Sequence, residues 1–191
     1  MSWFQSSLTH ADVRTQASVA EVVDCFHNQK HLLSRLALLI TGDEVTAEQS
    51  VVNACENTIH GHSPFRDWLL EWAKAATLTS AILPAAEAIR RCESAYHGRR
   101  CTHPEHLSQG EPGERKMYLD LLLQADPSVV LTELDALCRA VLVLRVAIRS
   151  SIQDCVVRLN VPRAAVLAAN CRAMTWLHDL PLSHMGNVTY Q

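Results

Sequence analysis

Side chains able to do chemistry crowd between positions 92 and 106, where Cys92, His97, Cys101, His103 and His106 are all of types that ligate zinc. Structural zinc sites draw their ligands in close pairs, typically cysteines about two to four residues apart. Cys92 and Cys101 are farther apart than that and no second pair matches them, so the spacing favours a solvated loop with no metal and no other cofactor. The run Gly61-His-Ser-Pro-Phe65 starts like a nucleophile elbow, but it lacks the second glycine and follows a helical pattern instead of a strand. Ser63 reads better as a helix cap, with Pro64 at the first helical position, where its missing N–H costs nothing. No other nucleophile has a plausible base and orienter, and no glycine loop could cradle a phosphate, so the expectation is a protein that is not an enzyme. Cys25, Cys55, Cys138, Cys155 and Cys171 fall on or beside apolar helix faces, where cysteine acts mostly as a small buried hydrophobe.

The elements that would carry these residues read as helices. Val19, Val22, Val23 and Phe26, then Leu32, Leu33, Leu36, Leu39 and Ile40, recur at steps of three and four, which predicts a helix or a broken pair ending near Gly42. Thr46 and Gln49 have the spacing of a capping box that opens a helix with Val51, Val52 and Cys55. Phe65, Trp68, Leu69, Trp72 and Ala76 share a face of the next, which Pro84 bends or ends, with a short piece continuing to Arg91. From Glu93 to Lys116 the chain is Gly, Pro, Ser, His and charge, the chemistry of a linker. Beyond it lie an apolar run from Met117, a long helix from Thr132 to Ile148, and the stretch Ser150–Met174. No sustained period-two pattern occurs. The expected fold is all-α, two small helical domains (1–92 and 117–191) joined by a 93–116 linker.

Composition narrows the setting. A 191-residue chain that is 48% hydrophobic has ample material for packed cores, and its net charge of −3 argues against general attraction to nucleic acid. The seven cysteines, odd in number and irregular in spacing, do not suggest a secreted disulfide framework. The start Met1–Arg14 lacks the pattern of a signal peptide, and the most apolar segments are short and carry arginines. The expectation is a cytoplasmic protein with reduced thiols and no membrane partner.

Within Ser150–Met174, Ser150 and Gln153 have capping-box spacing, and Ile152, Cys155, Val156 and Leu159 supply an inward face. Asn160-Val-Pro162 turns the chain. Val166, Asn170, Ala173 and Leu177 then form the inward row of a second helix, the arrangement of a helix-turn-helix. Arg163, Leu167, Ala168 and Cys171 point outward, with Arg172 at the edge. Between Arg163 and Arg172 no side chain carries a charge, which is sparse for a helix that reads DNA.

This order of parts resembles the bacterial sigma factors of the extracytoplasmic-function type. "LSRLALLITGDEVTAEQSVVNACE" is similar to the family's helix pair with its "LTGD" turn, and "FRDWLLEWAKAA" to its "FRAWL" helix. "LDALCRAVLVLR" and "QDCVVRLNVPRAAVLAANCRAMTWL" are similar to its C-terminal pair. The likeness covers roughly residues 30–80 and 130–178. It implies contacts to RNA polymerase core from Glu48, Gln49 and Asn53, and contacts to promoter DNA from Ser151, Arg163, Leu167 and Arg172. It also implies an anti-sigma partner.

The departures fall where the family carries its function. Thr46 and Gln49 stand at aspartate positions and Val52 at a glutamine position, with Glu48 retained. Ala75, Thr79 and Ile82 replace Asn, Asp and Arg on the minus-ten helix. The segment from Cys55 to Phe65 is shorter than the family's base-capturing loop. Leu167, Ala169 and Met174 replace basic residues on the recognition helix, while Arg172 is kept. Each lost base-reading pair removes about 1–3 kcal/mol, so DNA binding should be weak. Two readings follow: a sigma-like protein acting in transcription initiation or its regulation, or a degenerate interaction protein that binds polymerase or an anti-sigma partner without opening promoters.

Overall fold

Several helix starts in this chain are set by short polar side chains, those of Ser18, Asp43, Asp126, Asp135 and Ser151, that take up free backbone donors. The computed structural model describes residues 15–61, 64–101 and 112–180, which are helical apart from their connections and one isolated antiparallel bridge between Gln16 and Phe65. α1 (Val19–Asn28) opens on a capping box of Ser18 with Glu21. α2 (Lys30–Thr41) follows directly after Gln29, so the first apolar run is the broken pair. It ends on Gly42, whose φ of 76° is the left-handed conformation that glycine adopts without steric cost.

α3 (Glu44–His60) does not start from the expected Thr46–Gln49 box. Asp43 caps it, its carboxylate accepting from the Thr46 amide at 2.7 Å, and Gln49 instead donates to Asn53 Oδ1 at 2.9 Å. Pro64 does not open a helix either. Its carbonyl accepts from the Ala17 amide, Phe65 sits in the bridge, and a 3-10 turn at Arg66–Trp68 leads into α4 (Leu69–Glu93). Ser63 lies outside the described residues. α4 runs through Pro84 without breaking.

Three further boundaries differ. The expected linker holds structure at both ends: a 3-10 turn at Ser94–Tyr96 buries Tyr96 completely, and α5 (Pro112–Gln124) begins inside it. His103 and His106 lie outside the described residues. The expected long helix is interrupted at Leu134, which is extended, giving α6 (Pro127–Glu133) and α7 (Ala136–Ala147). Asp135 explains the break, because its side chain accepts from the Cys138 amide and caps a new helix. Finally, the box that opens α8 (Ile152–Leu159) is Ser151 with Asp154, one residue beyond Ser150 and Gln153. A turn of Asn160, Val161 and Pro162, with Asn160 at φ 51°, leads into α9 (Arg163–Asp179).

α7 is the axis of the packing. Its sequence ALCRAVLVLRVA is apolar almost all round, and every residue except Arg145 is buried, as such a helix must be. α2 and α4 lie on it from the first half, α5, α6, α8 and α9 from the second. Buried residues therefore form one continuous cluster from Ala17 to Leu177. Leu137, Leu142 and Leu144 are almost wholly enclosed, and each contributes about 1.5–3 kcal/mol of burial. Charged groups inside this core are paired. Arg139 donates to the Leu39 and Leu134 carbonyls at 2.8 and 2.5 Å. Lys74 meets Glu71 at 2.8 Å.

Candidate functional site

Two helix faces hold the residues expected to meet partners. On α3, Ala47, Ser50, Val51, Ala54 and Thr58 face the core, which turns Val45, Glu48, Gln49, Val52, Asn53 and Glu56 outward. Glu48, Gln49 and Asn53 thus come together on one exposed face. Two valines interleave with them, Val45 at 77% and Val52 at 48% exposure. Valine gains nothing from water there, so the face is apolar patches within a polar and acidic surround. Glu48 pairs with Lys30 at 3.2 Å, both well exposed, and Gln49 binds Asn53. A cleft beside this face is lined by His31, Arg35, Leu38, Val45, Glu48 and Pro127.

The α9 face is built differently. Val166, Asn170, Ala173 and Leu177 are buried as expected, with Asn170 Oδ1 accepting from Arg145 Nε at 3.2 Å. The outward row is not open. Ala168 and Cys171 are buried and Leu167 is half-buried, because the chain that follows α4 lies against this part of α9. Ala169 is wholly enclosed, its carbonyl beside the Cys138 thiol. Of the residues that the family resemblance assigned to DNA, Arg163 is exposed on the first turn of α9, and Ser151 is occupied in capping α8. Arg172 stays exposed, but its guanidinium is held by groups of the protein itself.

These internal bonds centre on Asp135. Asp135 uses one carboxylate oxygen to cap α7 and offers the other to the Tyr96 hydroxyl and to Arg172 Nη1, the latter at 3.0 Å. Arg172 also donates to the Tyr96 oxygen at 3.3 Å and, through Nη2, to the Glu133 carbonyl at 3.2 Å. Cys138 Sγ lies 2.8 Å from the same hydroxyl. Burial pushes the Tyr96 hydroxyl far above its ordinary range, helped by its bond to Asp135, so it stays protonated and donates. Burial likewise pushes the Cys138 thiol up to about 12 and the Cys155 thiol up to about 11, leaving both protonated and poorly nucleophilic.

Cys101 and Cys171 are joined as a disulfide, contrary to the expectation of reduced thiols throughout. Nothing in their spacing signals this. Cys25, Cys55, Cys92, Cys138 and Cys155 are free. Among the described residues no group of three His, Cys, Asp or Glu side chains is placed to hold a metal ion, and no helix is long and apolar enough to cross a membrane.

A third feature is a groove between α3, α4 and α8. Asn57, Trp72, Ala75, Thr79 and Arg158 line it, and Arg158 Nη1 donates to Thr79 Oγ1 at 3.3 Å. Ala75 and Thr79, the positions matched to the minus-ten helix, therefore face a space that α8 already borders. Ile82, the third of these positions, is buried.

The residues that order the α9 face were only partly visible in sequence. Tyr96 is the one large ring in an otherwise polar stretch, and Asp135 stands just before an apolar run, a recognisable start signal. Neither pointed to Arg172. Compared with protein-family models, curated proteins and solved structures, the chain matches none of them.

Proposed function

We propose that this chain is a sigma-like interaction protein that docks on RNA polymerase core through the exposed face of α3. In this reading residues 1–92 and 117–191 correspond to the two sigma domains, with α8 and α9 as the helix-turn-helix. The observation that carries it is the α3 face itself. Two exposed valines interleave with the polar residues Glu48, Gln49 and Asn53, which are those the family resemblance assigns to polymerase. Exposed apolar side chains set among polar ones are a surface that a protein partner can cover with gain.

Promoter reading is the second proposal, and it is the weaker one on this geometry. Arg172 is engaged by Asp135, Ala169 is enclosed, and the middle of the outward row of α9 is covered by the protein's own chain. Arg163 is the one exposed cation on the first turns of α9. An anti-sigma partner would compete for the same α3 surface.

Binding of the purified chain to core polymerase, measured by biolayer interferometry, tests the first reading. Val52→Lys with Gln49→Lys should weaken binding at least tenfold without changing thermal stability. Unchanged binding by that variant would move the contact off α3. Promoter-specific run-off transcription by the chain would replace the first reading with the second.

A further inference from the structure

We propose that the Cys101–Cys171 bond is a reversible redox latch that holds the segment after α4 across α9. The inference concerns the chain's own thiol chemistry and goes beyond the partner reading above. Two anchors fix this segment. Tyr96 is enclosed in the core and bonded to Asp135 and Cys138, and beyond it Cys101 is bonded to Cys171 with Cα atoms 5.4 Å apart. Between the anchors the chain turns at Gly98, at φ 73° with open space where a Cβ would stand, and His97, Arg99 and Arg100 are exposed. The first anchor is packing and hydrogen bonding; the second is covalent and is the one that chemistry can undo.

Position suits the bond to reversal. Cys101 is half-exposed, so an attacking thiolate can reach its sulfur, whereas Cys171 is buried on α9. A dithiol reductant attacks Cys101 Sγ and forms a mixed disulfide, and Cys171 leaves as a thiolate that takes up a proton. The reductant's second thiolate then displaces Cys101, which also takes up a proton. The protein gains two electrons and two protons, and the dithiol becomes a cyclic disulfide. A low-molecular-weight disulfide runs the same exchange backwards. Tyr96 keeps the near end of the segment anchored in the open form while the stretch from Gly98 to Cys101 swings free, so the two sulfurs can still meet again at high effective concentration. The free buried thiols Cys138 and Cys155 are too protonated to compete as nucleophiles.

Opening the latch would uncover the face of α9 that holds Ala168 and Cys171, one turn apart. The full-length chain, equilibrated in graded ratios of reduced to oxidised dithiothreitol, provides the test. Maleimide labelling with peptide mass mapping reads the thiols, and amide hydrogen exchange reads the cover. Cys101 and Cys171 should become labelled together, reversibly, while the chain remains folded. Exchange across Tyr96–Cys101 and the middle of α9 should speed by about tenfold, with α2 and α3 unaffected. Cys101→Ser should behave as the open form at every ratio, and Cys92→Ser should respond like the parent protein. Labelling of Cys101 and Cys171 at every ratio would show that they do not pair. Reduction only on global unfolding would make the bond a permanent staple, and unchanged exchange in the reduced chain would show that it covers nothing. Each of these three results overturns the proposal.

Discussion

Arg139 Nε donates to the Leu39 carbonyl across 2.8 Å, so a buried charge on α7 satisfies an acceptor at the end of α2, a hundred residues earlier in the chain. The same guanidinium reaches Leu134 and Leu131 at the end of α6, gathering helix C-termini whose dipoles favour a cation. Burial lowers the Arg139 pKa from its ordinary value, yet a guanidinium stays charged in protein interiors. Arg139→Leu removes the donors and strands carbonyls in the core. It should cost about 2–4 kcal/mol, read as a lower urea midpoint. A loss below about 0.5 kcal/mol would mean that water replaces the side chain.

A single core across both halves also predicts how a cut chain behaves. Composition makes the stretch around His103–Glu111 the first target of a protease. Nicked there, the fragments should still elute together, because α2 and α4 remain packed on α7. Reducing agent is included in the running buffer so that the Cys101–Cys171 bond cannot itself hold the fragments together. Separation into two folded pieces would show that the halves stand alone.

The same interface shows what the sequence could and could not convey. Helix existence was legible because local periodicity and caps decide it: Val19–Phe26, the Gly42 stop and the inward row Val166–Leu177 all came from spacing. Starts were misplaced by one to three residues where two polar side chains competed, as Asp43 did with Thr46 and Ser151 with Ser150. The cover on α9 was not legible, since it depends on Tyr96, Asp135 and Arg172 meeting across long stretches of chain. No local pattern encodes such a meeting. The family resemblance assigns Arg172 to DNA from its place in the helix alone, and its bonds to Tyr96, Asp135 and Glu133 are what the sequence does not convey.

Arg172→Ala should therefore lower stability as well as any DNA affinity. The pair with Asp135 is partly exposed, which limits its worth, but the Tyr96 and Glu133 contacts are lost with it. The expected cost is about 1 kcal/mol, seen as a fall of a few degrees in melting temperature. An unchanged melt would assign Arg172 to a partner instead.

Acid should weaken the protein at its helix caps. Asp43, Asp126 and Asp154 are each held below the ordinary aspartate value by side-chain and then backbone bonds, from Thr46, Ser128 and Ser151 respectively. Their folded values lie below the unfolded ones, so the unfolded chain binds more protons as pH falls through the aspartate range. Stability from these caps is complete above about pH 5 and is lost as pH drops below about 4 toward the folded values. Urea midpoints should be flat from pH 7 to 5 and lower by about pH 3. A flat profile down to pH 3 would remove the caps from the account.

The last prediction concerns DNA at α9. Arg163 alone is an exposed cation on its first turns, and the covered row offers no donor to bases. The oxidised full-length chain should bind duplex DNA only in the non-specific range, with Kd of about 10⁻⁴–10⁻⁶ M at physiological salt. Restoring a basic residue at Ala169 is not a usable probe, because that position is wholly enclosed and an arginine there would disrupt the core. Leu167 is half-buried and Ala164 exposed, so Leu167→Lys with Ala164→Arg adds charge where a side chain can reach solvent. Each phosphate that the new cations neutralise should steepen the salt dependence by about 0.9 log units. If the unmodified chain binds one duplex at nanomolar strength, the loss of basic residues has been compensated elsewhere and promoter reading becomes the stronger proposal. If the double variant binds no more tightly while remaining folded, this end of α9 does not lie against DNA.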